Sequence, residues 1–324
     1  MKAVICREFG PLENLEWGDF ELPPCGPRQV RLRTEVATVG FMDALMVRGL
    51  YQHKPALPFV PGSVSAGVVT EVGAEVKNVQ AGQRITASDY GGAYAEERLV
   101  GQADLALVPE GMDGLQAAAL RLTFVPAYLA LTERAQLRAG ETLVVTGATG
   151  GIGFAAMQLG RHLGARVIGA VGSAEKTAFL HQYGFAEAID YSAENFKDRV
   201  NALTGGQGAD VIFEVVGGEV FEQSMRCINV GGRLLVLGFA GGTIPNVSAN
   251  LPLLKNASIV GSFLGGWRRR HPERLARINE DIRRILLETG MRSPLAGTFP
   301  MAQAAKALNL LVTRRAIGVV ALAP

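Results

Sequence analysis

The chain reads as a two-part α/β protein, a mostly β segment followed by a doubly wound parallel sheet. Three observations predict this. Midway along, the apolar run Thr142–Thr146 meets a glycine-rich turn, Gly147-Ala148-Thr149-Gly150-Gly151-Ile152-Gly153, and helical spacing begins at Phe154. Downstream of that turn, strand-like and helix-like segments alternate, as crossovers in a parallel sheet require. Upstream, many short runs with glycine corners suit a small barrel better than a sandwich of long strands. A length of 324 residues leaves room for about two such domains, each with its own core.

Gln29–Val39 alternates, with Val30, Leu32, Thr34 and Val36 on one face and Arg31, Arg33 and Glu35 on the other. Val64–Val72, Arg84–Ser88 and 93–100 read as further strands, with turns at Gly73, Gly82 and Gly91-Gly92. Pro109-Glu110-Gly111 breaks this pattern, and helical spacing then covers 113–135, interrupted at Pro126. Thr142–Thr146 is apolar enough for a strand buried on both faces. Arg166–Val171 follows as a strand, then a helix over 174–183 closed by Gly184. A short strand at 187–190 precedes a helix with Ser192 as its N-cap, running to Leu203. After Gly205-Gly206-Gln207-Gly208 come a strand at Ala209–Glu214, a helix over 219–227 and strands at 233–237 and 258–263. Pro272 and Gly290 bracket a charged amphipathic helix, and a strand at 295–299, a helix at 301–312 and a strand at 318–321 close the chain.

Bulk properties exclude several classes. With 48% hydrophobic and 19% charged residues the composition is that of a globular enzyme, and a net charge of +2 offers no basic stripe for nucleic acid. Cys6, Cys25 and Cys227 form no spaced pair, as expected in a reducing cytoplasm. Arg7 and Glu8 interrupt the N-terminus before a signal core could build, and no apolar run approaches the roughly 18 residues of a membrane span.

The glycine turn carries the chemistry. A strand, a tight glycine turn and a helix start together make an anion site, because backbone N–H groups at the helix N-terminus point at phosphate and glycine lets a pyrophosphate come close. A purely structural turn is the plainer alternative; a nucleoside-triphosphate loop is excluded because no Gly-Lys-Ser/Thr ends the motif. For NAD, an acid about 20 residues on would hold the ribose 2′-OH. Here the second strand ends Ala170-Val171-Gly172-Ser173-Ala174-Glu175-Lys176, without an acid at its tip. Ser173 and Lys176 offer a hydroxyl and a cation to a 2′-phosphate, although they also read as an N-cap and a solvated lysine. NADPH is the expected cofactor.

Thr146-Gly147 followed by Gly151-Ile152-Gly153 also matches the short-chain dehydrogenase loop, but those enzymes carry it near the N-terminus and need a Tyr-x3-Lys pair well downstream. The last tyrosine here is Tyr191. A zinc site needs clustered Cys, His and carboxylate ligands, whereas His53, His162, His181 and His271 are scattered and far from any cysteine. No metal is expected.

These residues resemble the zinc-free medium-chain dehydrogenase/reductases, in their NADPH:quinone reductase branch. The resemblance runs end to end and rests on Gly49-Leu50-Tyr51-Gln52, Leu57-Pro58-Phe59-Val60-Pro61-Gly62, Gly92-Ala93-Tyr94-Ala95-Glu96 and the glycine turn, then on Val216-Gly217-Gly218, Gly231-Gly232-Arg233-Leu234 and Leu253-Leu254-Lys255-Asn256. It implies a GroES-like β-barrel catalytic domain over 1–122 and 267–324, with a Rossmann nucleotide-binding domain over 123–266 and a cleft between them. By position it implies that Thr149, Gly150, Gly151 and Ile152 hold the pyrophosphate. Ser173, Lys176, Tyr191 and Arg315 would surround the 2′-phosphate, and Phe239 and Leu264 would lie along the nicotinamide. Relatives usually carry Asn where this chain has Gly40 and an acid where it has Val64. Both departures make the site less polar, and Arg121 stands where an apolar residue is usual, as a surface ion pair or as a contact for an anionic substrate.

The expected activity is hydride transfer to a quinone or an α,β-unsaturated carbonyl. Alternatives are an acryloyl-thioester (enoyl) reductase, or a non-catalytic NADPH-binding relative with a structural or RNA-binding role. The developing oxyanion needs a donor. Tyr51 is the first choice and the Thr123 hydroxyl the second, unless both only pack a cleft wall; no histidine is expected among the cleft-lining segments. The open edge of the last parallel strand predicts a homodimer or a higher even oligomer.

Overall fold

The computed structural model describes all residues, Met1–Pro324, and divides into two compact units: Met1–Leu122 with Ser293–Pro324, and Thr123–Arg292. The first boundary coincides with the one expected. The second does not. The helix Pro272–Thr289 buries Ile278, Ile282, Ile285 and Leu286 on one stripe and packs on Val125–Leu129, so 267–292 belongs with the nucleotide unit and not with the GroES-like one.

In the first unit, one sheet runs in the order Leu295–Pro300, Val319–Ala323, Gln29–Val39, Val64–Val72, Arg84–Ser88, Leu105–Leu107, and Glu97–Gly101 also pairs with Gln29–Val39. Gln29–Val39 can take three neighbours because register shifts at Arg31/Leu32 and Thr34/Val36 bend it. Gln29 to Arg33 pair with Glu97–Gly101, Ala37 to Val39 pair with Val319–Ala323, and Val64–Val72 lines the opposite side. Strand pairing thus ties the C-terminal segment to the N-terminal one. The interior alternates as the sequence does, with Val30 and Leu32 fully buried against Val69, Ile85 and Val100. The strand expected at 93–100 is Glu97–Gly101; Ala93, Tyr94 and Ala95 are buried outside it, bridged to Ala3 and hydrogen-bonded through their backbone to Val4, Pro61 and Gly62.

The second unit is a six-stranded parallel sheet whose spatial order, in strand sequence, is 3-2-1-4-5-6: Ala188–Asp190, Arg166–Val171, Thr142–Thr146, Ala209–Glu214, Ile228–Val236, Ser258–Gly261. Its central strands, Leu143-Val144-Val145 and Val211-Ile212-Phe213, are entirely buried, which is why they read as unbroken apolar runs. The switch point of this order lies between Thr142–Thr146 and Ala209–Glu214, and ligands of such sheets bind at the strands' carboxyl ends there.

Two helical expectations are corrected. Pro126 does not interrupt the segment over 113–135: wide turns at Leu120–Phe124 and Ala130–Arg134 flank the helix Val125–Leu129, and Pro126 occupies its first turn, where its missing N–H costs nothing. The resulting helical stretch Gly114–Arg134 spans 21 residues and is long and apolar enough to cross a membrane, contrary to the sequence expectation, but 61% of its apolar window is buried inside the chain. The second correction concerns Ser192, which does not cap the helix Phe196–Leu203. Asn195 does, accepting from the Asp198 N–H, while the N–H and hydroxyl of Ser192 both donate to Asp190.

Candidate functional site

Within the second unit the glycine turn is shaped for close approach. Gly147 has φ +58°, and a Cβ there would meet Val215 Cγ2 at 2.9 Å. A Cβ on Gly153 would lie 2.3 Å from the carbonyl oxygen of Gly147, so the helix Gly151–His162 can start against the turn only because Gly153 has no side chain. The N-cap is Gly150, with no side chain to cap the first turn, so the N–H groups of Gly151, Ile152 and Gly153 are free of intrahelical acceptors and suited to a phosphate. Thr149 is buried beside them. Phe154 then packs edge-on against Phe179 and Tyr183, with centroids 5.5 and 4.9 Å away, fixing this helix against Ala174–Gln182.

That second helix begins at Ser173, whose Oγ accepts from the Lys176 N–H at 3.4 Å. The N-cap role foreseen for Ser173 is therefore real. Tyr191 joins this corner: its N–H donates to the Val171 carbonyl at 2.9 Å, and its ring lies over Gly172, where a Cβ would be 3.1–3.3 Å from ring and hydroxyl atoms. Ser173, Lys176 and Tyr191 thus lie at the end of one strand, which closes on Val171-Gly172 without an acid of its own, while Glu175 shares the first helical turn and Asp190 pairs with Val171. Phe239 follows the strand Ile228–Val236 and rests on Gly217, and Leu264 opens the helix after Ser258–Gly261. All these residues follow the carboxyl ends of parallel strands. Arg315 lies in the other unit, exposed on the turn after Ala304–Val312.

Glu214 escaped the sequence reading. It ends the switch-point strand, fully buried, and its Oε1 accepts from the N–H groups of Val216 and Gly217 at 2.6 and 2.7 Å. Its Oε2 is buried without a hydrogen-bond partner. Burial pushes its pKa up to about 7 against the pull of those two N–H groups. The carboxyl holds the loop over 215–218 beside the glycine turn. The available signal was an acid ending an otherwise apolar strand.

The first unit carries Tyr51. It is half-buried, and its phenol is pushed up to about 12, first by burial and then by Tyr90, whose ring centroid lies 6.5 Å away. The His53 ring also lies against Tyr90, with centroids 4.6 Å apart. Thr123 is buried in the wide turn Leu120–Phe124 and belongs to the second unit. Gly40 begins the helix Phe41–Val47 and donates its N–H to Asp43 Oδ2 at 2.8 Å; a Cβ on it would stand 3.2 Å from that oxygen and 3.4 Å from Leu122 Cδ1. Val64 faces Ala66 and Ala118 in an apolar cluster. Arg121 donates to the Asp104 carbonyl at 3.3 Å. No group of three or more His, Cys, Asp or Glu side chains is placed to hold a metal.

Comparison with known proteins agrees with this geometry. Residues 26–128 match the alcohol dehydrogenase GroES-like domain, and residues 151–280 match the family described as zinc-binding dehydrogenase. A quinone oxidoreductase-like protein 2 homolog of Nematostella vectensis is 36% identical over 320 residues, 98% of this chain and 87% of that protein. A quinone oxidoreductase of Pseudomonas aeruginosa is 34% identical, with 100% of this chain and 99% of that protein covered. Among solved structures, a mycobacterial protein complexed with NADPH is 28% identical with a TM-score of 0.93, each chain covered completely. The chain therefore belongs to the medium-chain dehydrogenase/reductase family, in its quinone oxidoreductase branch.

Proposed function

We propose that this protein is an NADPH-dependent reductase that delivers hydride to a quinone or an α,β-unsaturated carbonyl without a metal. The observation that supports the reading is the end of Arg166–Val171, which closes without an acid of its own and is followed by Ser173 and Lys176 under the Tyr191 ring, together with a glycine cradle that Gly153 keeps open. Gly150, Gly151 and Ile152 would hold the pyrophosphate through backbone N–H groups, with Thr149 behind them. Ser173 and Lys176 would bind the 2′-phosphate, where a carboxylate would repel it, and Arg315 would add a second cation. Phe239 and Leu264 would offer an apolar wall to the nicotinamide. When bound, NADPH supplies the hydride.

On the acceptor side, charge develops on the carbonyl oxygen. Tyr51, with its phenol held near 12 by burial and Tyr90, stays protonated at neutral pH. It serves as a hydrogen-bond donor to that oxygen, while solvent delivers the proton. Thr123 is the second donor in this reading. Steady NADPH oxidation with a panel of simple quinones, enones and acryloyl-thioesters tests the proposal. Turnover of thioesters alone would make the protein an enoyl reductase, and binding without turnover would make it a non-catalytic relative. Tyr51→Phe should lower kcat/KM about ten- to a hundredfold, roughly 1.4–2.7 kcal/mol of transition-state stabilisation. An unchanged rate would place the oxyanion elsewhere.

The active form is a homodimer. The outer strand Ser258–Gly261 leaves an open edge with Ile259 40% exposed, and Leu253 and Leu254 on the nearby helix Asn250–Lys255 are 74% and 73% exposed. A two-fold partner strand would cover this apolar edge. The three free cysteines accord with a cytoplasmic location.

A further inference from the structure

The loop that follows the switch-point strand is held chiefly by one side chain. Four consecutive N–H groups lie just beyond Ala209–Glu214, and each has an acceptor. Val215 donates to Thr146 Oγ1 at 3.1 Å, Val216 and Gly217 both donate to Glu214 Oε1 at 2.6 and 2.7 Å, and Gly218 donates to the Thr243 carbonyl at 3.1 Å. Two successive donors on one oxygen fix the peptide planes on either side of Val216, because both N–H groups must converge on a single point. Glu214, Val216 and Gly217 are all buried, so solvent does not compete for these bonds.

The same loop is laced to the one after the neighbouring strand Ile228–Val236. The carbonyls of Glu214, Val215 and Val216 accept from the N–H groups of Leu237, Ala240 and Gly241 at 3.1, 2.8 and 2.7 Å, and Gly242 closes a turn onto the Phe239 carbonyl at 2.9 Å. The approach leaves no room for a side chain at Gly217, whose φ is +81°: a Cβ there would stand 2.6 Å from the Thr243 carbonyl oxygen and 3.2 Å from Phe239 Cδ1. A Cβ on Gly241 would stand 2.7 Å from the Val216 carbonyl oxygen. These contacts give the Val216-Gly217-Gly218 motif its physical reason. It is the close seam between the strand end at Glu214 and the segment that carries Phe239.

We propose that Glu214 is a positioning residue for the nicotinamide end of the cofactor: its Oε1 sets the loop over 215–218, and that loop, through its backbone hydrogen bonds, sets the segment over 239–243 and the Phe239 ring. The 2′-phosphate corner is built separately, at the end of another strand, where Ser173 caps its own helix. Loss of the acceptor at Glu214 therefore disturbs one end of the dinucleotide and spares the other. The accepting atom needs no negative charge, so an amide carbonyl can take its place, and Oε2, buried without a hydrogen-bond partner, holds no part of the loop. The positioning role rests on the reading of Phe239 as a wall for the nicotinamide; the linkage of the two loops does not.

The test uses the full chain with Glu214→Leu, Glu214→Gln and Gly217→Ala. In Glu214→Leu, kcat with a simple quinone should fall at least tenfold. The emission of bound NADPH, which reports the surroundings of the nicotinamide, should shift towards that of the free cofactor, while the Kd of 2′,5′-ADP by calorimetry stays within twofold. Glu214→Gln should return kcat to within threefold of the wild type and restore the emission. Equal losses for NADPH and 2′,5′-ADP, as a merely structural role would give, overturn the proposal, and so does a Glu214→Gln protein as impaired as Glu214→Leu. If Glu214→Leu does not fold, Gly217→Ala decides, because it keeps the carboxyl and disturbs only the seam: the same split is expected, and wild-type kcat and emission overturn the positioning role. Amide exchange separates the two layers of the argument. Ala240 and Gly241 should exchange at least tenfold faster in Glu214→Leu or Gly217→Ala than in the wild type, and unchanged rates overturn the linkage of the loops. Faster exchange there, with wild-type emission in Phe239→Ala, would remove the wall reading and leave the linkage standing.

Discussion

Gly153→Ala separates two physical effects of opposite sign. In a helix interior, replacing glycine by alanine stabilises by roughly 0.5–1 kcal/mol, because glycine has more backbone freedom to lose on folding. Here the added Cβ would lie 2.3 Å from the Gly147 carbonyl oxygen, 2.9 Å from its carbon and 3.1 Å from Ala148 Cα. Ordinary contact would need the helix to retreat by about 1 Å, and no flexible side chain can absorb this because all three atoms are backbone. Overpacking of this kind costs about 1–3 kcal/mol, so the clash exceeds the propensity gain and a net loss of about 1–2 kcal/mol is expected. For a unit of this size each kcal/mol lowers Tm by about 2–4 °C.

The same retreat moves the N–H groups of Gly151 and Ile152, so NADPH affinity should fall at least tenfold, about 1.4 kcal/mol. Gly160→Ala is the comparison. Its Cβ would meet side-chain atoms, Leu143 Cδ2 at 2.4 Å and Val167 Cγ2 at 3.2 Å, about two turns beyond the glycine loop. That variant should lose stability and keep its affinity. Thermal unfolding without cofactor and fluorescence titration with NADPH read the two effects separately. A Gly153→Ala protein as stable as the wild type and binding NADPH equally would refute both the steric argument and the role of this turn.

NADPH should bind at least tenfold more tightly than NADH, and Lys176→Ala should weaken NADPH while leaving NADH nearly untouched; equal losses in parallel titrations would remove the 2′-phosphate assignment. Ile259→Lys should convert a dimer into a monomer in light scattering at micromolar concentration, and a monomeric wild type would contradict the edge-strand argument. Glu214 titrates near 7 when folded, above its ordinary carboxylate value, so between about pH 4.5 and 7 the folded chain keeps a proton that the unfolded chain has lost. Its contribution to stability is therefore complete at the acid end and declines as pH rises through 7. Glu214→Gln keeps an acceptor for Val216 and Gly217 but cannot ionise, so its urea stability should fall less between pH 5 and 8 than that of the wild type; an equal or steeper fall would count against the buried carboxyl.

What could be read from the sequence depended on whether one residue's neighbours in the chain were also its neighbours in space. The strands Val64–Val72, Arg84–Ser88, Arg166–Val171 and Ala209–Glu214 were legible residue by residue, because local alternation or continuous apolarity determines them. The glycine turn was legible for the same reason. Pro126 was misread because the wide turn that accommodates it is set by packing on both sides, and 267–292 was misplaced because an amphipathic helix does not announce which core it covers. Ser192 lost the cap to Asn195 since both are capping residues within one turn, and only the backbone decides.

The buried charges were the least legible feature, and the reason is instructive. Asp43 is a single acid within the apolar run Phe41-Met42-Asp43-Ala44-Leu45-Met46, and Arg98 follows two glutamates in Glu96-Glu97-Arg98, a run that reads as a solvated strand face. Strand pairing overrides that reading: register sets Arg98 opposite Leu32, and Leu32 and Val30 point into the core, so Arg98 is carried inward with them. A one-residue slip would have put Glu97 inside and Arg98 in water. The register is held by the flanking Val30–Val100 pair, whose apolar burial on both strands favours this alignment over the slipped one. The cation is therefore interior because of its neighbours' hydrophobicity, and the carboxylates that favour its charged form are those of Asp89 and Asp104 first and Asp43 after them. Gly40 fits the same logic, since a side chain there would crowd the Asp43 oxygen that holds its N–H.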